Sequence, residues 1–352
     1  GDVYKRQGVD GLHLSRAVHL HDECMWAPSL IHGGFSADYV TEIKRAVSVP
    51  IITVGRYTEP QYAELMIAEG RADLVAFGRQ SIADPEMPNK AKAGRLDLMN
   101  PCIGCLQGCV PNMFKGEPIT CLVNPLAGRE ADFKPAQTKK NVMVIGGGPG
   151  GMEAARVCAI KGHKVTLYER EALGGTLNYA ATAAFKNRLR ALVDYYKVQM
   201  DKLGIEVINK EISIDDPVLA GCDRIIAATG AHPINPPIPG IDGANVIGIK
   251  DAHKNPAALK GKKVVVCGGG LSGSDLALEL ATEWDKDCAI VEMKDDIATD
   301  MVHINAGSLK NHLVQANVAI RTSCKVTAIS EAGVTVINLS LIHISEPTRL
   351  LS

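Results

Sequence analysis

The sequence predicts an α/β protein in which strand–helix series with parallel sheets follow one another along the chain. Apolar runs of strand length alternate with segments of helical spacing in three places. Twice, a G-x-G-x-x-G pattern falls between such a run and such a helix. A stretch without sustained periodicity, rich in cysteine, separates the first series from the other two.

In the first series VDGLHL (9–14) and PIITV (50–54) read as short buried strands, with helical spacing from Ser36 to Val47 between them. After Gly55 a helix is expected from about Glu59 to Glu69, then the strand ADLVAF (72–77), which ends at Gly78-Arg79. Residues 98–140 hold four clustered cysteines and end in the polar linker Lys134–Asn141. A second series opens with the strand VMVIG and continues with a helix over 150–161, the strand KVTLYE and a longer helix near Phe185–Leu203. CDRIIAATGAHP (222–233) reads as a strand leading into a tight turn. The third series starts at Lys262 with KVVVCG, a helix over 272–284 and CAIVEM, so the two glycine patterns form a partial internal duplication.

The two ends stand apart from this pattern. Residues 2–7 read DVYKRQ and residues 339–344 read LSLIHI. One DNA string encodes the first, its reverse complement encodes the second, and the string looks like a transposase adapter used in preparing sequencing libraries. On this reading 1–7 and 339–352 are artefactual tags, and 8–338 is a native stretch cut from a longer gene.

Hydrophobic residues make up 46% of the chain, enough for sizeable cores, and 352 residues suit two or three domains. The formal net charge of −1 gives no electrostatic case for nucleic acid. No apolar run approaches the ~18 residues of a membrane span, so a soluble cytoplasmic protein is expected. Six of the ten cysteines are scattered, mostly in apolar segments, and most of them read as buried thiols of a reducing cytosol.

The first glycine pattern, VIGGGPGG, places Gly146, Gly148 and Gly151 between a strand and a helix. Glycines there permit a tight turn and bring a pyrophosphate close to the helix N-terminus, whose N–H groups and dipole favour an anion. Glu169, at the end of the next strand, stands near the expected spacing of about 20 residues for an acid that holds a ribose diol. Gly174-Gly175 and the turn Ala227–Gly230, with Thr229, look like accessories of a flavin-binding domain. The second pattern, VVCGGGLSG, repeats the arrangement with Gly268, Gly270, Gly273 and the acid Glu292. An acid at this place favours NADH, since it repels the 2′-phosphate of NADPH; Lys294, two residues on, opposes that preference.

The cysteines CIGCLQGCVPNMFKGEPITC are spaced C-x2-C-x3-C-x11-C. Four thiolates in one loop could bind zinc or an iron–sulfur cluster. Zinc ligands usually come as two close pairs, whereas Cys102, Cys105 and Cys109 crowd together and Cys121 follows later, which suits a 4Fe–4S cubane better. Gly55-Arg56 and Gly78-Arg79 each follow a strand of the first series. At the C-terminal face of a (β/α)8 barrel such loops commonly build a phosphate site, and Arg79 with the backbone N–H groups would suit the phosphate of FMN.

Taken in order, these motifs resemble the family of 2,4-dienoyl-CoA reductase, trimethylamine dehydrogenase and the bacterial NADH:flavin oxidoreductases, including clostridial enoate and bile-acid-type reductases. VGRYTEP and ADLVAFGRQSIADPEMPNKAKAGR look like the family's FMN-phosphate segment, and PCIGCLQGC with CLVNP looks like its cluster loop. The resemblance implies that 8–97 is the C-terminal part of an FMN-binding barrel lacking roughly its first five strands. It implies a 4Fe–4S loop and linker at 98–140, the N-terminal part of an FAD-binding domain at 141–261, and a truncated NAD(P)-binding domain at 262–338. It further implies a relay in which NAD(P)H reduces FAD, electrons pass singly through the cluster to FMN, and FMN reduces an activated C=C bond of a small unsaturated substrate. The family's reductases place a Tyr and a His beside FMN. The Tyr belongs to an absent upstream strand, and HLHDE (19–23) is the matching region for the His, with His21 as candidate and His19 and His13 behind it. With these parts missing, this length of chain is not expected to turn over alone.

Two other readings stand beside the ene-reductase: an electron-transfer module that hands NADH electrons to a partner protein, and an amine dehydrogenase with a vestigial second nucleotide site. The two Gly-Arg pairs argue against the first, and the intact Gly268, Gly270, Gly273 and Glu292 against the second.

Overall fold

The computed structural model describes residues 8–16 and 22–341. The segments 1–7 and 342–352, expected as tags, lie outside the described residues, as do His19 and His21. The chain divides into two compact units. The first runs to Gly230 except for Thr182–Ala184, which join Ala231 onward in the second.

The first unit begins with a parallel sheet of β1 (Leu12–Leu14), β2 (Ile51–Thr53) and β3 (Leu74–Val75), in that order, with Leu12 opposite Ile51 and Ile52 opposite Leu74. The crossovers carry α1 (Ala37–Ala46) and α2 (Pro60–Ala68). Pro60 opens α2 at a position whose missing N–H costs no helical bond. Lys44, in the last turn of α1, pairs at 2.6 Å with Asp73, whose carboxylate also accepts from the Ile51 N–H at 2.7 Å. Ala37, Val40, Ile51, Tyr57, Met66 and Ala72 form the core beneath. The strand expected over 72–77 shrinks to two residues. β3 pairs with β2 alone, so the ladder holds only what lies opposite Ile52 and Thr53, and Leu74 is left 53% exposed.

A four-stranded parallel sheet follows in the same unit, built from β4 (Asn141–Ile145), β5 (Lys164–Glu169), β6 (Glu206–Asn209) and β7 (Arg224–Ala227) in the order β6-β5-β4-β7. Val142, Met143 and Val144 of β4 are all buried, as a parallel strand covered on both faces requires. Because β4 lies between β5 and β7, its carboxyl end is the switch point at which ligands bind in open α/β sheets. Two helices belong to this sheet, Pro149–Ile160 and Asn187–Lys202; with α3 (Arg79–Ala83) and α4 (Val110–Lys115) preceding them, they are α5 and α6. Leu192, Tyr195, Tyr196 and Met200 of α6 recur at helical spacing and pack into one core with Val144, Leu167 and Met152.

The second unit contains α7 (Ile249–Lys254) and a parallel sheet of β8 (Lys263–Cys267), β9 (Asp287–Val291) and β10 (Ala319–Arg321), ordered β10-β9-β8. Its helices α8 (Leu271–Glu283) and α9 (His303–Gln315) bury Leu280, Leu309 and Leu313 fully. Residues 231–261 also fall in this unit. Their proline-rich start, HPINPPIPG, has too few backbone donors to extend the first sheet. An antiparallel hairpin, β11 (Cys324–Ser330) with β12 (Gly333–Asn338), was not anticipated; its register shifts between Val326 and Ala328. Gly333, at φ 137°, makes the turn. The turn at Leu339–Leu341 follows, with the Leu339 N–H donating to Ser323 O at 2.7 Å.

Candidate functional site

The loop from β4 to α5 is shaped by its glycines. A Cβ at Gly151 would stand 1.8 Å from Gly146 O, and one at Gly146 would meet Ala228 O at 2.2 Å, so helix, strand and the Ala228–Thr229 turn close on each other. Gly146 is in the left-handed region at φ 107°, and Gly230 at 75°. Gly175, at φ 54°, approaches Gly148 so closely that a Cβ would lie 2.9 Å from its Cα. By contrast a Cβ at Gly148 or Gly150 would meet nothing within 4 Å. No side chain caps α5 at Gly148, and open space faces its first N–H groups, the cradle an anion needs. Glu169 accepts from Gly147 N–H at 2.6 Å through one carboxylate oxygen and from Glu171 N–H at 2.8 Å through the other. Each oxygen keeps lone pairs for further donors such as a ribose hydroxyl.

The second loop repeats this frame closely. A Cβ at Gly273 would stand 2.0 Å from Gly268 O, and Gly268 is at φ 110°. Glu292 accepts from Gly269 N–H at 2.7 Å and from Lys294 N–H at 2.9 Å. Gly174 N–H donates to Gly147 O in the first loop, and Ala298 N–H donates to Gly269 O in the second. One difference breaks the likeness. Gly270 precedes α8 as Gly148 precedes α5, but here Asp300 reaches the helix, accepting from Leu271 N–H at 3.2 and 3.4 Å. The Lys294 ammonium donates to Thr299 Oγ1 at 3.0 Å, away from Glu292's carboxylate.

Cys102, Cys105, Cys109 and Cys121 line one cavity together with Arg79, Ile103, Leu106 and Thr120. Among the described residues no three His, Cys, Asp or Glu side chains are grouped so as to hold a single metal ion. Burial pushes the Cys105 thiol up to about 11, and the neighbouring Cys102, Cys109 and Cys121 add to the shift. Cys109 and Cys121 are raised too, chiefly by burial. Without a cation to share, these groups stay protonated at neutral pH. Alkylation of Cys105 by iodoacetamide in metal-free protein should therefore be slow at pH 7 and climb as pH rises toward 11, followed by mass spectrometry; fast labelling at pH 7 would contradict the buried neutral thiol.

Side chains that the sequence reading did not single out hold the loop. Gln80, 1% exposed, accepts from Cys102 N–H and donates to Asn100 O, both at 2.9 Å. Asn100 in turn donates to Val123 O at 2.6 Å, and its N–H is accepted by Asp84, which also takes Lys90 at 2.6 Å. Arg188 of α6 donates from Nε to Cys102 O at 3.3 Å and pairs with Glu59 at 2.7 Å. The signal for Gln80 was its place directly after Arg79; Arg188 gave none, because one charge on an amphipathic helix reads as a solvated face.

The two Gly-Arg pairs lie against this loop. A Cβ at Gly55 would meet Ser36 Oγ at 2.5 Å, whereas one at Gly78 would meet nothing within 4 Å. Arg79 donates to Ala27 O at 2.8 Å and lines the cysteine cavity. Arg56, in the left-handed region at φ 55°, donates to Ser29 O at 3.2 Å and to Ile31 O. Its guanidinium fills the space over Gly104, where a Cβ would stand 3.1 Å from Nη2. Burial, with Arg79 and Arg188 nearby, lowers Arg56 to about 10. Of the histidine candidates, His13 is described, on β1 and exposed.

Two dinucleotide-type folds in series mark the class of pyridine-nucleotide-linked flavoprotein oxidoreductases. Residues 140–347 match the pyridine nucleotide-disulphide oxidoreductase family, and residues 5–97 match the NADH:flavin oxidoreductase / NADH oxidase family. The chain belongs to the 2,4-dienoyl-CoA reductase / trimethylamine dehydrogenase-like family of NADH:flavin oxidoreductases. It is 38% identical over 342 residues to an NADH oxidase of Thermoanaerobacter brockii, covering 94% of this chain and 52% of that one. To a cinnamate reductase of Clostridium sporogenes it is 35% identical, covering 91% and 49%. A solved 2-naphthoyl-CoA reductase complex superposes with a TM-score of 0.87 at 30% identity, over 95% of this chain and 51% of that one. The chain thus spans about half the length of the curated relatives it matches. No helix among the described residues is long and apolar enough to cross a membrane.

Proposed function

We propose that the chain forms the FMN-phosphate end (8–97), the 4Fe–4S loop (98–140), the FAD-binding part (141–261) and the NAD(P)-binding part (262–338) of an NADH-dependent ene-reductase acting on an enoate, dienoyl-CoA or enone. The observation that carries this reading is the cysteine cavity. All four thiols line it, and Cys102, Cys105 and Cys121 pack against the same core as β4 and α5 of the first dinucleotide fold, while Arg79 forms part of the wall. On this reading the loop links the proposed FMN end to the proposed FAD-binding part of the first unit. Four thiols lining one cavity could each meet their own iron, and the close triplet Cys102, Cys105 and Cys109 followed later by Cys121 favours such a multi-iron core over tetrahedral zinc.

The bound groups would supply hydride acceptance, one-electron passage and reduction of the C=C bond. The chain's residues do the positioning. The open N-terminus of α5 and Gly146, Gly148 and Gly151 take the FAD pyrophosphate, Glu169 holds its ribose, and Gly175, Thr229 and Gly230 close the turn over it. Gly268, Gly270, Gly273 and Glu292 do the same for NADH. Gly55, Arg56, Gly78 and Arg79 serve the FMN end, His21 stands as the proton donor, and Cys102, Cys105, Cys109 and Cys121 are the cluster ligands. The full-length protein, purified without oxygen, should contain FMN, FAD and about four irons per chain, and should reduce cinnamate-type enoates, enoyl thioesters or enones with NADH. Stoichiometric zinc in place of iron would overturn the cluster assignment, and no NADH-dependent loss of any C=C substrate would overturn the reaction.

NADH should be preferred to NADPH because Glu292 would repel a 2′-phosphate at the ribose it is proposed to hold, while Lys294 is engaged with Thr299. Glu292→Gln keeps the acceptor for Gly269 N–H but removes the charge. It should narrow the preference on the order of tenfold, the worth of about 1.5 kcal/mol in a charge-assisted hydrogen bond. Steady-state kcat/KM for both coenzymes reads the result, and an unchanged ratio would shift the discrimination elsewhere.

A further inference from the structure

Three guanidiniums crowd the Cys102 end of the cysteine loop. Arg56, Arg79 and Arg188 come from three separate segments, and Arg56 stands within electrostatic reach of both others and of Cys102. Each keeps one buried N–H group without an acceptor: Nε of Arg56, Nη1 of Arg79 and Nη2 of Arg188. Glu59 pairs with Arg188, but its side chain is 54% exposed, so water screens much of its charge. Buried like charges with spare donors are costly to fold around unless an anion shares the space. The surroundings say where that anion belongs. Arg79 lines the cysteine cavity, Arg56 lies over Gly104 between Cys102 and Cys105, and Arg188 donates to the Cys102 carbonyl.

A cubane held by four thiolates has a net charge of about −2, and about −3 after one electron is added. We propose that Arg56, Arg79 and Arg188 form a buried cationic wall that raises the reduction potential of a cluster bound at Cys102, Cys105, Cys109 and Cys121, with Arg188 the positioning residue that brings this charge from the first dinucleotide fold. The inference rests on the cluster reading given above. Its physical content is simple. Positive charge stabilises the more negative reduced state over the oxidised one, and does so strongly where water is excluded.

The test is a potentiometric titration of the anaerobically reconstituted full-length protein with dithionite, following the paramagnetic resonance signal of the reduced cluster. Arg188→Met should shift the one-electron equilibrium toward the oxidised state at least about tenfold, or about 59 mV lower in potential. Arg188→Lys, which keeps the charge, should shift it less than about threefold, and Glu59→Gln should shift it the opposite way, since it removes a compensating negative charge. Should Arg188→Met lose its cluster, the opposite shift in Glu59→Gln decides the matter alone. Equal potentials in all variants, or loss of FMN with an unmoved potential, would overturn the wall and leave Arg56 and Arg79 with their role at the FMN end alone. Absence of iron from the unsubstituted protein sinks the cluster reading first, and the wall with it.

Discussion

Cys105→Ala should take the iron content from about four atoms per chain to near none, with both dinucleotide folds left in place. Cys105 sits between Gly104, over which Arg56 lies, and Leu106, which is 1% exposed. Its neighbours are held in place, since Gln80 and Arg188 bond the Cys102 backbone and Cys109 stands at the N-terminal boundary of α4. Loss of the thiol itself removes one small buried group, so the cost to folding should be about 1 kcal/mol. The variant should therefore melt near the unsubstituted apoprotein, bind FAD with the same absorbance, and lack the broad visible absorption of a cluster. Iron retained at the full level would show that three cysteines and another ligand suffice, and the four-thiolate site would fall.

Gly151→Ala should be the most damaging single methyl in the first dinucleotide fold. Its Cβ would lie 1.8 Å from Gly146 O and 3.3 Å from the Ala228 side chain, so α5 has to move off the β4 loop. Overpacking of this kind costs about 1–3 kcal/mol. Here it also displaces the N–H groups proposed to meet the pyrophosphate, so FAD should be lost as well as stability. Gly148→Ala is the control. A Cβ there meets nothing within 4 Å and the backbone at φ −71° accepts any residue, so the fold should be unaffected, while the methyl intrudes on the open cradle. Thermal melts of the apoproteins together with flavin titrations separate the two outcomes. If Gly148→Ala binds FAD like the unsubstituted protein, the cradle is not where the pyrophosphate lies.

What the sequence could reveal depended on how local the governing interactions were. The helix expected over 150–161 is found at Pro149–Ile160, because glycine turns and an apolar stripe act within a few residues. The strand expected over 72–77 is largely lost, since only a paired neighbour keeps a strand in register, and β3 has one on a single side. The hairpin of β11 and β12 was not legible although Val334, Thr335 and Val336 alternate within β12, because its pairing carries a register shift between Val326 and Ala328 that no local pattern reports. The cysteine spacing was legible, but the residues that hold the loop were not. Arg188 is 86 positions from Cys102, and Gln80 is 22 positions away. No periodicity reports a contact of that kind. The Gly-Arg pairs were legible as chemistry, yet their direction, toward the cysteines, emerged only from the folded chain.

On the proposed function, the carboxylate of Asp300 at the start of α8 would make coenzyme capture a trade of one anion for another. At α5 an arriving pyrophosphate would gain unspent N–H groups; at α8 it would gain only the surplus over what Asp300 already enjoys. The two halves of the duplication should therefore differ in how tenaciously they keep their nucleotides. On that reading the first would suit a resident nucleotide and the second a visitor that leaves after each turnover, since Asp300 already accepts from the Leu271 N–H.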